Sequence, residues 1–276
     1  MTSRIPPLLE PYLSLPPEAS LVLLTSVLGA STNWLVLRFL YSTLMNKEDA
    51  EGPDTNVVMI SFMRDLNFWR DGAKRLGLDL DKFNAKKQFT FVDGLSGLFV
   101  PKQPKDCLAA DSNRVLQNTE LEAIQAQILD SMNTVNERAT GAKTLLIVDQ
   151  LDVMMALKSE KIHAVNLGEL LMCLQERVHA TVITAAADFP LILSQQTLLE
   201  RNHAAFVIGL AHRAEYIMSL RLLDTGTARD VSGVLRITKG NHTTFEDPEL
   251  QKEMEEKELL YFVGGDGGVK AFERGQ

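Results

Sequence analysis

Residues 144–149 read Thr-Leu-Leu-Ile-Val-Asp, four consecutive branched aliphatic residues closed by a carboxylate. A strand with one solvated face alternates apolar and polar side chains. A strand with no polar position has to be covered on both faces, the situation of a parallel sheet held between two layers of helices. The signature recurs at residues 21–26, 56–62, 88–92, 181–186 and 204–210, and helical periods separate the runs. Residues 34–45 are apolar almost all round, and residues 65–76 form a helical pattern that stops at Gly77. Leu121, Ile124, Ile128, Met132 and Val135 share one helix face, as do Leu167, Leu170, Leu171, Leu174 and Val178. This alternation predicts an α/β fold with a mostly parallel central sheet, helices on both faces and right-handed crossovers.

The last part of the chain departs from the alternation. Residues 234–238, 259–263 and 269–272 are strand-like, and the last two are separated by Gly264-Gly265-Asp266-Gly267-Gly268, which predicts an antiparallel edge ending in a β-hairpin. The acidic stretch 246–258 is expected to be a solvated helix. With 45% hydrophobic residues in 276, the whole chain, residues 1–276, is expected to form one domain, with residues 1–18 a Pro-rich and loosely ordered extension.

Composition narrows the function classes. Asp plus Glu number 36 against 28 Lys plus Arg, a net charge of -8, so no strong field draws the isolated chain to nucleic acid. Cys107 and Cys173 form no C-x-x-C pair, which predicts a reducing compartment and argues against structural zinc, and the five histidines show no metal-ligand spacing. No apolar run reaches membrane-spanning length and no secretory signal is visible, so the chain is expected to be cytoplasmic, with the nucleus also open and no membrane partner.

A first strand, a glycine turn and a helix form the setting of a phosphate-binding loop. Here Gly29 is followed by Ala30, Ser31, Thr32 and Asn33, and no lysine occurs before Lys47, whereas the loop needs a second glycine and a lysine for the β- and γ-phosphates. Ser31, Thr32 or Asn33 is expected to cap the helix instead. Asp149 has the form of the carboxylate that holds Mg²⁺ in such enzymes. It can equally be a structural carboxylate at the sheet edge, and Asp152 beyond it is expected to be solvated. The segment Asp93-Gly94-Leu95-Ser96-Gly97-Leu98 misses the G-x-S-x-G pattern of a hydrolase nucleophile because Leu98 stands where glycine is required. Lys158, Lys161 and His163, after the Asp149 strand, and Arg201 and His203, after the next, leave the same carboxyl edge of a parallel sheet and could converge there, plain solvation being the alternative for each. Residues 101–117 form a polar loop long enough to be functional.

Taken together, the degenerate first loop, Val58-Met59-Ile60-Ser61-Phe62 with Phe68-Trp69 and Arg75-Leu76-Gly77-Leu78, Phe91 through Phe99, Leu145-Leu146-Ile147-Val148-Asp149, and the closing Leu260-Tyr261-Phe262 to Lys270-Ala271-Phe272-Glu273-Arg274-Gly275 hairpin resemble the Elongator complex protein 6 family over residues 20–275. The resemblance implies a RecA-like fold with a degenerate P-loop. Active RecA-type ATPases place a glutamate just after the second strand; a gapless placement puts Met63 there, followed by Arg64 and Asp65. The resemblance therefore implies a non-catalytic subunit. It further implies a heterohexameric ring with Elongator proteins 4 and 5, two copies each, that docks on the catalytic Elongator subunits, binds tRNA and supports wobble-uridine modification. No cofactor is expected to bind this chain strongly alone, with ATP at ring interfaces left open. The competing readings are a diverged ATPase using Asp149, Asp65 and the Gly29 turn, and a RecA-paralogue assembly factor.

Overall fold

The computed structural model describes residues 4–45, 55–99, 114–116, 118, 120–136, 141–157, 161–224, 226, 228–240 and 255–273. Among these, strands β1 (Ser20–Ser26), β2 (Thr55–Ser61), β3 (Phe89–Asp93), β4 (Lys143–Asp149), β5 (Ala180–Ala186), β6 (Tyr216–Arg221), β7 (Gly233–Lys239), β8 (Lys257–Val263) and β9 (Val269–Phe272) make one sheet. Its order is β3-β2-β4-β5-β1-β6-β7-β8-β9. The first six strands in that order pair in parallel, and β6 through β9 pair antiparallel. The glycine-rich turn between β8 and β9 is the hairpin expected from the sequence.

The apolar runs work as their lack of alternation demands. Val22 and Leu24 of β1 and Leu145 and Ile147 of β4 face one apolar layer, while Leu21, Leu23, Leu146 and Val148 face the other. The first layer is closed by α2 (Asn33–Met45), α3 (Leu66–Arg75) and α4 (Leu80–Ala85). The second is closed by α6 (Leu121–Asn136), α7 (Val153–Leu157), α8 (Ala164–Gln175) and α9 (Leu198–Arg213). Burial on both sides removes the strands' apolar area from water at about 25 cal/mol per Å².

Three expectations are corrected. Residues 204–210 are helical, lying inside α9. An apolar run of seven is ambiguous in period, and here the start signal decides: Thr197 Oγ1 accepts the Glu200 N–H at 3.2 Å while Glu200 Oε2 accepts the Thr197 N–H at 2.9 Å, a capping box. His203, Ala204, Phe206, Val207 and Leu210 then fall on the buried face, and Ile208 on the opposite side is exposed. The sixth strand is the next run, β6.

The N-terminal residues are not a loose extension from residue 4 onward. A 3₁₀ turn, Pro7–Leu9, leads into α1 (Glu10–Leu13), and Leu9, Tyr12 and Leu13 are buried in the first apolar layer. Tyr12 Oη donates to the Glu255 carbonyl at 2.7 Å, and Tyr216 Oη donates to the Tyr12 carbonyl at 2.6 Å. In the acidic stretch, Lys257 and Glu258 belong to β8 and not to a helix, because they pair with Ile237 and Arg236 of β7; residues 246–254 lie outside the described residues.

Candidate functional site at the carboxyl edge of the sheet

The carboxyl ends of β1, β2, β4 and β5 bring most of the sequence-derived candidates to one edge. Parallel register sets Ser61, Asp149 and Thr184 side by side on β2, β4 and β5. Ser61 Oγ donates to Asp149 Oδ2 at 2.7 Å and Thr184 Oγ1 donates to Asp149 Oδ1 at 2.8 Å. Asp149 is 1% exposed, and burial raises its carboxyl pKa while the two hydroxyls and the Arg64 charge oppose that shift. Ser61 Oγ also accepts the Arg64 N–H at 2.9 Å, and Thr184 Oγ1 accepts the Gln150 N–H at 3.0 Å. Asp149 thus ties together three strand ends and the turns that follow them. Neither Ser61 nor Thr184 was singled out from sequence; the signal is a hydroxyl at the end of each apolar run.

The loop after β1 is a tight turn. Ala30 N–H donates to the Val27 carbonyl at 2.9 Å, with Gly29 at φ +92°, a left-handed conformation that favours glycine. A Cβ on Gly29 would stand 3.3 Å from Leu222. Ser31 Oγ accepts the Asn33 N–H at 3.2 Å, and the Thr32 carbonyl accepts the Leu35 and Val36 N–H groups, so Ser31 and Thr32 serve the start of α2. Leu28, at the tip of the turn, is 87% exposed, and its N–H is held by Asp188 Oδ1 at 2.8 Å. Asp188 opens a π-helical turn, Pro190–Ser194, that brings Phe189 and Leu193 to the surface at 70% and 62% exposure. Four-residue closure of the turn and an apolar tip do not fit a triphosphate cradle, which needs converging N–H groups and a cation.

Asp65, the first carboxylate after β2, is the N-cap of α3: its Oδ1 accepts the Phe68 N–H at 2.9 Å. Arg64 stacks over the Phe68 ring at 5.1 Å. In the Asp93 to Phe99 segment, Asp93 Oδ1 accepts the Leu95 and Ser96 N–H groups and Oδ2 accepts the Ser96 hydroxyl at 2.7 Å, opening the short helix α5 (Ser96–Phe99). A Cβ on Gly97 would come within 2.2 Å of the Leu116 carbonyl, where residues 114–116 return to pair beside Asp93. The segment is a built corner of the fold.

The basic candidates separate. Lys161 and Arg201 are exposed, and His163 is half-buried at the start of α8. His163 Nδ1 lies 3.3 Å from Asn202 Nδ2, and Asn202 Oδ1 accepts the Ala164 N–H at 3.5 Å, so the starts of α8 and α9 do converge on this edge. Lys158 lies outside the described residues, as do 101–113. His203 is 3% exposed and faces inward. Asp152, expected to be solvated, is 5% exposed: the turn after β4 folds it back beneath the edge, where its Oδ2 accepts the Ala186 N–H at 3.2 Å. Among the described residues no group of three or more His, Cys, Asp or Glu is placed to hold a metal, and no helix is long and apolar enough to cross a membrane.

A mostly parallel sheet in this order, with its conspicuous residues at the carboxyl edge, defines the RecA-like class. The solved structure of a KaiC-like protein from Pyrococcus horikoshii OT3 matches with a TM-score of 0.60 over 99% of this chain and 98% of that one, at 17% identity. The family model for Elongation complex protein 6 matches residues 16–261. An Elongator complex protein 6 homolog of Schizosaccharomyces pombe is 27% identical over 267 residues, covering 95% of this chain and 94% of the relative. The chain belongs to the Elongator complex protein 6 family.

Proposed function

We propose that this chain is a non-catalytic structural subunit of a heterohexameric ring with Elongator proteins 4 and 5, two copies each, which docks on the catalytic Elongator subunits, binds tRNA and supports wobble-uridine modification. The observation that carries this reading is the character of the carboxyl edge. Leu28, Phe189 and Leu193 are strongly exposed there, while Asp149 is consumed by Ser61 and Thr184. An apolar surface of this kind favours coverage by a protein neighbour, and an enclosed carboxylate is poorly placed to serve Mg²⁺. Any ATP in the ring belongs at boundaries between subunits, where another chain supplies the cation that this turn lacks.

An acidic chain with Lys161 and Arg201 exposed on one edge gains RNA affinity when several subunits present such edges together. The ring acts on tRNA in the cytoplasm, with the nucleus a second site. Co-expression with Elongator proteins 4 and 5, native mass measurement and tRNA titration test the reading. A six-chain species that binds tRNA, where the lone chain does not, is the expected result. A homo-oligomer or monomer that ignores both proteins, or intact wobble-uridine modification after deletion of this subunit, overturns it.

A further inference from the structure

The β5-to-α9 connection is closed at its base by a pair of titratable side chains that play no part in the proposed ring role. His203 Nε2 lies 2.8 Å from the Ala186 carbonyl. A carbonyl only accepts, so Nε2 carries the hydrogen, and in the neutral ring Nδ1 is a bare lone pair. That lone pair faces Asp152 Oδ2 at 3.9 Å, with both side chains 4% exposed. Asp152 Oδ1 is buried without a hydrogen-bond partner. Oδ2 takes the Ala186 N–H, Oδ1 takes no donor, and an acceptor nitrogen stands 3.9 Å from Oδ2 out of water, an arrangement that one added proton relieves.

We propose that Asp152 and His203 share one proton, and that this proton clasps the two ends of segment 187–202 onto the sheet. With the proton present, the pair is a carboxylic acid donating to Nδ1 or an imidazolium facing a carboxylate, and a small side-chain rotation closes the gap. Ala186 is held from both sides, its N–H by Asp152 and its carbonyl by His203, so the last residue of β5 and the second turn of α9 are fastened together. Between those ends lie Phe189, Leu193, Leu198 and Arg201. Without the proton, a buried carboxylate faces a lone pair and the fastening loosens.

Burial is the dominant influence on the Asp152 carboxyl and raises it, the His203 charge and the Ala186 N–H lower it, and the nearby Asp149 adds a smaller upward push. Asp149 on β4 opposes a second negative charge at Asp152, and Arg64, beyond the end of β2, acts on Asp149. Asp188 is directed to the Leu28 N–H, Glu200 to the cap of α9, and His163 to Asn202. Burial pushes the Asp152 carboxyl up to about 6, against the pull of His203. A raised carboxyl means that the folded state holds the proton more tightly than the unfolded chain. The stabilisation is therefore complete at or below the ordinary carboxylate range and is lost as pH rises through about 6.

Amide hydrogen exchange on the full chain, corrected for intrinsic rates, tests the clasp. Peptides from 187–202 are expected to exchange about threefold or more faster at about pH 8 than at about pH 5, while β4 peptides do not change. Asp152→Asn and His203→Gln should each abolish that difference. No pH dependence in the wild-type chain, or the same dependence in both variants, overturns the proposal. Should the variants fail to fold, imidazole NMR shifts of His203 in the wild-type chain decide: an Nδ1 environment constant between those pH values overturns it, and a change that tracks the amide exchange of 187–202 upholds it.

Discussion

Ser61 Oγ stands 2.7 Å from Asp149 Oδ2 across the β2–β4 pair, and the carboxylate whose sequence context allows a metal ligand or a sheet-edge tie joins the ends of two neighbouring strands. The register of two parallel strands puts both residues at the last paired position, where each strand gives way to a turn whose N–H groups need acceptors. One hydroxyl serves two ends at once, donating to Asp149 and accepting from Arg64.

Asp149→Ala should therefore act on stability. Removing the carboxylate leaves the Ser61 and Thr184 hydroxyls buried without their acceptor, at a cost of about 1–3 kcal/mol. Denaturant unfolding of the purified protein measures the loss. A variant as stable as wild type would mean that the tie contributes nothing net.

Leu28→Ser should separate folding from association. Leu28 is 87% exposed, so the substitution leaves the unfolding free energy within about 0.5 kcal/mol of wild type, yet it removes apolar surface from the edge proposed to meet a ring neighbour. Co-purification with Elongator proteins 4 and 5 is expected to weaken, and more so with Phe189→Ser added. Undiminished recovery of the ring would place the interface elsewhere.

Charge reversal of Lys161 and Arg201 should lower the ring's affinity for tRNA and make its salt dependence shallower, by about one unit of slope for each RNA phosphate that is no longer neutralised. Titrations at several salt concentrations give the slope directly. An unchanged slope would remove these two residues from the RNA surface while leaving the ring itself intact.

Gly97→Ala should damage the corner formed by Asp93 and residues 114–116. The new methyl would meet the Leu116 carbonyl at 2.2 Å, a backbone atom that cannot move aside cheaply, so a loss of about 2 kcal/mol or more is expected in thermal unfolding. Ser96→Ala, which removes only one hydrogen bond to Asp93, should cost about 1 kcal/mol.

The sequence alone determined the layers of this protein. Apolar runs without alternation demanded a covered parallel sheet, the helical periods supplied the cover, and the Gly29 turn without a lysine already argued against a phosphate loop. Each of these is a local property, legible because side-chain periodicity follows backbone geometry. Tertiary structure alone decided which residues meet. Parallel register joined Ser61, Asp149 and Thr184 from sites up to 123 positions apart in sequence order. A capping box outweighed a strand-like run at 204–210, and a hydrogen bond from Tyr216 helped dock the N-terminal residues that composition marked as loose. The fold of the turn after β4 carried Asp152 beneath the edge to face His203. Contacts between segments far apart in the chain depend on how layers stack and strands align, and no local pattern of residues encodes that.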